Sequence, residues 1–396
     1  MTIQKRRKRS FWIEDKSLLI FFGRKLTISL SPVVRSTAHC YQKLIKTAYE
    51  LATVNYMRKI IVMPEEIMKS RTTQEDLEYF QSQGIDVRIG LSEKGGKLLD
   101  KIRDADGLVM ATAEVGKALF DKCDTLKVVA AFGVGFDYID VNEATRHGVV
   151  VFNVPGLFSD AVANLTIAHM LSITRKVTIG DRGVKKSEWA SVKPACMGTD
   201  LQGKVLGTVG LGSVGYNVAK KCMSAFSMSV VTYDPFISQE KAKELKIKKV
   251  ETLQELLAES DIVTIHCPLT DQTRGLIGAN ELSLMKPSSL LINTARGGIV
   301  DEKALFYALK NSIIAGAALD VMEKEPPAAD NPLLTLDNIV ITPHIGASTY
   351  ESIRAVYRVV RENVCRVITG NLPKPPARIV NEEVLTATVL RFRTNI

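Results

Sequence analysis

The chain has 396 residues, of which 46% are hydrophobic and 24% charged. This is the composition of an ordinary soluble globular protein, and it excludes a disordered chain, a collagen-like fibre and a small disulfide scaffold. The length exceeds what one hydrophobic core organises, so two domains are expected, and the clean apolar stretches fall far short of the ~20 residues of a membrane-spanning helix.

The net charge of +9 is concentrated at one end. Residues 1–56 hold 11 Lys/Arg against 3 Asp/Glu, which leaves 41 against 40 for the rest. A near-neutral body offers no broad field for a phosphate backbone, so nucleic acid is not expected as a partner. Lys5-Arg6-Arg7-Lys8-Arg9 reads as a self-repelling, solvated run within a basic N-terminal extension, residues 1–56, that need not be ordered. Its alternative reading is a nuclear-localisation or polyanion-binding patch. Leu18–Phe22 is shorter than the ~7–15-residue apolar region of a secretory signal, and Glu14 and Asp15 interrupt the approach to it. The six cysteines form no Cys-x-x-Cys pair, and the five histidines form no metal-binding pattern. Free thiols in a reducing compartment, hence a cytoplasmic location and no metal, are the expectation.

From Met57 onward short Val/Ile-rich runs alternate with amphipathic stretches. Lys59–Met63, Ile85–Ile89, Gly107–Met110, Leu126–Ala130 and Val149–Phe152 read as buried strands, with helices over Thr73–Gln83 and Gly95–Asp104. A long helical pattern, Asp160–Thr174, follows. A second series has strands at Val205–Val209, Ser229–Tyr233, Ile262–His266, Leu290–Asn293, Gly316–Leu319 and Ile339–Thr342. Its helices are Val214–Phe226, Thr252–Glu259, Ala279–Met285 and Glu302–Asn311, and a final long helix spans Tyr350–Gly370. Strand–helix alternation with continuously apolar strands implies α/β architecture with parallel sheets. Two long helices placed between and after the series can carry the chain out of the first domain and back. The fold expected is therefore two Rossmann/flavodoxin-like domains, the first one discontinuous: 57–158 plus 346–385 around 159–345.

Gly210-Leu211-Gly212-Ser213-Val214-Gly215 fits G-x-G-x-x-G. It follows an apolar strand, opens a helix, and precedes by 19 residues an acid, Asp234, at the end of the next strand. That context makes it a dinucleotide fingerprint. Gly210 permits the tight turn, Gly212 lets a pyrophosphate approach the backbone, Gly215 lets helix and strand pack, and the helix N-terminus faces the phosphates. Asp234 accepts from the ribose hydroxyls and repels a 2′-phosphate, which favours NAD over NADP.

Three further segments follow predicted strands: Asn293-Thr294-Ala295-Arg296-Gly297-Gly298, Leu319-Asp320 through Glu325-Pro326-Pro327, and Thr342-Pro343-His344-Ile345-Gly346. Ligands of open α/β sheets bind at that edge. With the fingerprint and Asp234, these segments resemble the D-isomer-specific 2-hydroxyacid dehydrogenase family, from about Met57 to about Leu385 and most strongly over Leu201–Thr349. The resemblance implies an NAD-dependent oxidoreductase acting on a small 2-hydroxy or 2-oxo acid, and a homodimer. It implies that Arg296 binds the substrate carboxylate, that His344 is the general acid/base, and that Glu325 orients His344 and stabilises its imidazolium. It implies cofactor contacts from Gly210, Gly212, Ser213, Val214, Gly215, Asp234, Cys267, Pro268, Thr294, Ala295, Arg296, Asp320, His344 and Gly346. In the first domain Gly133, Val134 and Gly135 resemble the loop whose backbone amides meet the substrate carboxylate. His169 and His266 sit in apolar patterns and read as structural.

The chain departs from phosphoglycerate-type relatives in Val109-Met110-Ala111-Thr112-Ala113-Glu114, where Met110 replaces an arginine and Glu114 stands near a lysine position. A substrate phosphate would meet a carboxylate there, so a smaller or neutral-tailed 2-hydroxy acid is expected ahead of phosphoglycerate. Hydroxypyruvate or glyoxylate reduction and phosphoglycerate oxidation are the alternatives within the family. Asn164 also departs from the family pattern. The chain ends within sixteen residues of Asn381, so no C-terminal regulatory domain is expected. A reading of another class is an NAD(H)-sensing, corepressor-like scaffold, supported by Lys5–Arg9.

Overall fold

The computed structural model describes residues 4–6, 10–12, 18–22, 26–30, 59–63, 73–89, 102–111 and 113–386. Two compact units are present, Met1–Lys59 and Ile60–Ile396. In the first, β1 (Gln4–Arg6), β2 (Ser10–Trp12), β3 (Leu18–Phe22) and β4 (Leu26–Leu30) form an antiparallel meander in the order β1-β2-β3-β4. These four strands are the described part of the segment read as a basic extension. Leu18–Phe22 and Leu26–Leu30 are apolar runs of strand-forming residues on either side of Gly23-Arg24-Lys25, which is a hairpin pattern. Of the basic run only Lys5 and Arg6 lie in a strand, and Arg7, Lys8 and Arg9 lie outside the described residues.

The second unit contains two sheets. One is six-stranded, in the order β17-β9-β8-β7-β5-β6. Its strands are β5 (Lys59–Met63), β6 (Ile85–Ile89), β7 (Gly107–Met110), β8 (Val128–Ala131), β9 (Val150–Asn153) and the antiparallel edge strand β17 (Arg378–Ile379). The other is seven-stranded and wholly parallel, in the order β12-β11-β10-β13-β14-β15-β16. It comprises β10 (Val205–Val209), β11 (Ser229–Tyr233), β12 (Lys248–Lys249), β13 (Ile262–Ile265), β14 (Leu290–Asn293), β15 (Gly316–Leu319) and β16 (Ile339–Ile341). The helices are α1 (Gln74–Ser82), α2 (Lys117–Phe120), α3 (Val141–Arg146), α4 (Ser159–Thr174), α5 (Val177–Lys185), α6 (Trp189–Val192), α7 (Ser213–Phe226), α8 (Gln239–Glu244), α9 (Leu253–Glu259), α10 (Ala279–Leu284), α11 (Glu302–Lys310) and α12 (Tyr350–Ile368).

Most boundaries agree with the periodicity to within one or two residues. Leu126 and Val149 are apolar because they are buried, yet each lies ahead of the paired strand. Of the expected helix Gly95–Asp104, only residues 102–104 are described. The surface helices α5 and α6 and the two-residue strands β12 and β17 were not among the elements expected from the sequence.

The inner strands β7, β8, β9, β13, β14 and β15 are buried from end to end, because helices cover both faces of each sheet. One face of the seven-stranded sheet joins a core with Leu256, Leu257, Leu305 and Leu309, and the other packs with Ala163, Met170, Val218 and Ala219. Each such apolar side chain contributes about 1.5–3 kcal/mol on full burial. Helix α4 lies on α7 and on β14, β15 and β16, whereas α12 packs on β7, β8 and α1. The segments before α4 and after β16 thus meet in one sheet.

Register decides where the loops emerge. Val209 pairs with Tyr233 and Ile265, Ile265 with Asn293, Asn293 with Leu319, and Leu319 with Ile341. These six residues form one row across the sheet. The next residues, Asp234, Gly210, His266, Thr294, Asp320 and Thr342, therefore leave along a single edge, although they span more than a hundred positions of sequence. The chain direction of the strand order reverses at β10, which opens a crevice at that edge.

Candidate active site

The glycine loop between β10 and α7 is shaped to receive a pyrophosphate. Gly210 has φ +93°, in the left-handed region that side chains disfavour, and a methyl there would press on the backbone of His266 and Cys267. A methyl at Gly215 would overlap the Gly210 carbonyl, so helix and strand approach as closely as they do only with glycine. Gly212 faces open space instead. It is the N-cap of α7 and supplies no side-chain acceptor, unlike Thr252 and Asp301, which accept from first-turn amides of α9 and α11. The first-turn amides of Ser213 and Val214 are thus left to an anion. A groove of about 460 Å³ beside the loop is lined by Leu211, Gly212, Ser213, Tyr216, Ile237, Lys241 and Leu245. Asp234 stands at the end of β11, accepting from Leu211 N at 2.7 Å and from Phe236 N at 2.8 Å. Each carboxylate oxygen retains a lone pair for a ribose hydroxyl. These residues fit the adenosine diphosphate half of NAD.

On the other side of β10, His266 is half-buried and its Nε2 lies 3.0 Å from Thr264 Oγ1. Burial pushes its pKa down to about 3, so it is neutral and structural. Burial pushes the Cys267 thiol up to about 11, so this residue offers backbone rather than a reactive sulfur. Pro268 follows it at the same edge. After β14, Asn293 is fully buried and closes a turn by accepting from Ala295 N at 3.0 Å and donating to Arg296 O at 2.8 Å. Thr294 Oγ1 meets Thr166 Oγ1 of α4 at 2.9 Å.

The turn projects Arg296 across to the other sheet. Its Nη1 donates to Ala295 O at 2.8 Å, and its Nε approaches Asp137 Oδ1 at 3.3 Å. Asp137 ends the Gly133–Val134–Gly135 loop that follows β8. A methyl on Gly135 would overlap Arg296 Nη2, so the loop backbone lies directly against the guanidinium. Asn153 holds this loop by donating from Nδ2 to Val134 O at 2.7 Å.

His344 Nδ1 lies 2.7 Å from Glu325 Oε2, and Glu325 Oε1 accepts from Met322 N at 3.0 Å. An ionised carboxylate only accepts, so Nδ1 carries the proton and Nε2 is left for chemistry. The Glu325 hydrogen bond raises the His344 pKa above the ordinary imidazole value, while burial and the Arg296 charge oppose it. Burial pushes the Glu325 carboxyl up, but the bonds from His344 and Met322 outweigh it and hold the group below its usual range. His344 has φ +52°, an unfavourable conformation outside glycine. Backbone bonds from its own amide to Asp320 O at 2.8 Å and Thr342 O at 3.0 Å hold it there. The Asp320 side chain, 1% exposed, accepts from Thr342 Oγ1, Ile345 N and Gly346 N. Among the described residues its Oδ2 accepts from Gly346 N alone, so this is the oxygen with room for a carboxamide.

Arg296, Glu325 and His344 are thus gathered at one edge, and the Arg296 charge is felt by both of the others. Met110 is not gathered there. It is fully buried in the core below β7, so it cannot face a substrate tail, and only the exposed Glu114 remains of that expectation. Asn164 has a structural account: it accepts from Lys221 Nζ of α7 at 2.6 Å, tying α4 to the dinucleotide helix. Asp137 is the site residue that sequence reasoning passed over, and an acid directly after a glycine loop was its only signal. Among the described residues no group of three or more His, Cys, Asp or Glu gathers as a metal site.

Comparison with known proteins agrees with this geometry. The family model for the NAD-binding domain of D-isomer specific 2-hydroxyacid dehydrogenases matches residues 167–346. The chain is 42% identical over 299 residues to a D-3-phosphoglycerate dehydrogenase of Archaeoglobus fulgidus, covering 75% of this chain and 56% of that protein. It therefore spans little more than half of the phosphoglycerate dehydrogenases it matches. It is 39% identical over 299 residues to a glyoxylate reductase of Thermococcus litoralis, covering 74% of this chain and 88% of the relative. The crystal structure of TT0316 protein from Thermus thermophilus superposes with a TM-score of 0.73 at 34% identity, covering 81% of this chain and 99% of that one. Fold, site geometry and kinship agree that the chain belongs to the D-isomer-specific 2-hydroxyacid dehydrogenase family and that its second sheet carries the family's NAD-binding domain.

Proposed function

We propose that the chain interconverts a D-2-hydroxy acid and its 2-oxo acid with NAD, acting as a 2-oxoacid reductase. The observation that carries this reading is the 2.7 Å His344–Glu325 pair set at the same sheet edge as Arg296 and the glycine cradle. Gly210, Gly212, Ser213, Val214, Gly215 and Asp234 would hold the adenosine diphosphate. Cys267, Pro268, Thr294, Ala295, Asp320 and Gly346 would border the nicotinamide half. When bound, the reduced nicotinamide supplies the hydride for the 2-oxo carbon. Arg296 pairs its planar fork with the substrate carboxylate, assisted by the amides of the Gly133–Gly135 loop. His344, protonated on Nε2, gives its proton to the C2 oxygen during reduction and takes it back during oxidation. Glu325 fixes the tautomer and stabilises the imidazolium.

Residues 57–158 with 346–385 form the substrate lobe in this proposal, and 159–345 the cofactor lobe. Glu114 and Asp137 set carboxylates on the loops after β7 and β8, which supports a short or neutral substrate tail over a phosphorylated one. Glyoxylate or hydroxypyruvate is favoured, and phosphoglycerate is the second reading, supported by the kinship with phosphoglycerate dehydrogenases. A homodimer belongs to the proposal as well, supported by Val177, Val184, Trp189 and Met197, which expose apolar surface on and beside α5 and α6. The test is loss of NADH absorbance against a panel of 2-oxo acids. Turnover of glyoxylate or hydroxypyruvate, abolished by His344→Ala with NADH binding retained, is the expected result. A folded chain that binds NADH and turns over none of the panel would leave the scaffold reading.

A further inference from the structure

We infer that His169, which is outside the set of residues proposed to touch substrate or cofactor, is a positioning residue for His344, acting through Thr342 and Asp320. His169 lies on α4, 3% exposed, with Nε2 3.0 Å from Thr342 Oγ1. The direction of that bond follows from the next one. Thr342 has a single hydroxyl proton, and Asp320 Oδ1, an acceptor only, takes it at 2.6 Å. His169 must therefore donate from Nε2. Asp320 in turn accepts the amides of Ile345 at 2.8 Å and Gly346 at 2.7 Å, the two residues that follow His344. A continuous chain of hydrogen bonds, with Asp320 accepting from both sides, thus runs from α4 to the turn that keeps His344 at φ +52°.

The other ring nitrogen makes packing an insufficient explanation. With the proton on Nε2, Nδ1 is an acceptor, and it is buried with no hydrogen-bond partner among the described residues. Leaving such a group unpaired is destabilising, a cost that leucine or methionine at this position would avoid. The donor at Nε2 is what a histidine adds there. Burial also pushes the His169 pKa down, so the ring stays neutral with a single proton to place. The charged groups around His344 are Glu325, Arg296 and Asp320, and none of them is itself replaced in a variant of residue 169.

The inference rests on the reading of His344 as the acid/base, and the test separates the two. His169→Leu removes the donor, His169→Gln keeps an N–H within reach of Thr342, and His169→Asn keeps an amide too short to reach it. With NADH and the best 2-oxo acid, kcat should fall about tenfold in His169→Leu and His169→Asn at nearly unchanged KM, and recover to within about threefold in His169→Gln. NADH affinity, read by quenching of protein fluorescence, should stay level throughout. NMR titration of the His344 ring without cofactor or substrate should show its pKa dropping toward the ordinary value in the first two variants and not in the third. Equal behaviour of His169→Gln and His169→Asn in both assays would overturn the inference, even should His169→Leu fail to fold. If the wild-type chain turns over no 2-oxo acid, the functional reading fails, and the NMR contrast still decides whether His169 positions His344.

Discussion

Replacing Glu325 by glutamine isolates the charge in the Glu325–His344 pair. The side-chain amide can still accept from Nδ1, so tautomer and ring orientation are kept while the carboxylate is lost. Two unit charges at ~4 Å attract by about 4 kcal/mol at an effective dielectric of ~20. The two side chains here are 42% and 38% exposed, and water at that level screens the attraction to about 1–2 kcal/mol. That corresponds to about one pH unit in the titration of His344. The sign follows from the cause: Glu325 raises the His344 pKa, so its removal lowers it. Reduction needs the protonated ring, and kcat/KM therefore falls as pH rises through that pKa. In Glu325→Gln the falling limb should sit about one pH unit lower, measured by NADH oxidation across pH with a saturating and a limiting 2-oxo acid. Stability carries the same signature. Glu325 contributes above its unfolded value and loses that contribution as pH falls through its lowered folded value. His344 contributes below its unfolded value and loses that as pH rises through its raised folded value. The gap in melting temperature between wild type and variant is thus widest between those limits. A limb that stays in place, or moves to higher pH, would refute the assignment of Glu325 as the group that tunes His344.

The glycine loops give contrasting outcomes. Gly212→Ala puts a methyl into open space, so melting temperature should hold while the NADH dissociation constant rises at least ~tenfold by fluorescence titration. Gly215→Ala drives a methyl into the Gly210 carbonyl and should cost about 1–3 kcal/mol in denaturant unfolding; equal stability of the two variants would contradict the packing described. Gly135→Ala displaces the Arg296 guanidinium, so KM for the 2-oxo acid should rise ~tenfold or more with NADH affinity intact; an unchanged KM would remove Arg296 from the substrate site. Asp76, 1% exposed, accepts from Thr73, Arg354 and Arg361, and burial, which pushes its carboxyl up, is outweighed by the bonds from Thr73 and Arg354. Asp76→Asn should lose about 3–5 kcal/mol near neutral pH, and the loss should shrink as pH falls through the lowered Asp76 pKa. Urea midpoints that differ by the same amount at every pH would show that the charge is not what Asp76 contributes.

The family, the cofactor and six of the seven strands of the cofactor sheet were legible in the chain itself. Val205–Val209, Gly210–Gly215 and Asp234 are local features whose spacing alone implies a strand, a phosphate turn and an acid at the next strand end, because period and turn chemistry act over a few residues. Buried parallel strands likewise announce themselves as unbroken apolar runs. Resemblance, not local pattern, misleads at Met110: the family position it matches points to a substrate tail, whereas the residue completes the core of a strand that the local pattern reads correctly. What only the tertiary structure decided are the encounters between distant segments. Register across β10, β13, β14, β15 and β16 brings Arg296, Asp320 and His344 to one edge, and the loop after β8 brings Asp137 to Arg296 from 159 residues away. His169 is the clearest instance: its apolar surroundings are written in the helix period, but its bond to Thr342, 173 residues further on, exists only once α4 lies against the cofactor sheet. Hydrogen bonds between side chains depend on ångström-scale placement, which sequence spacing does not encode and close packing does.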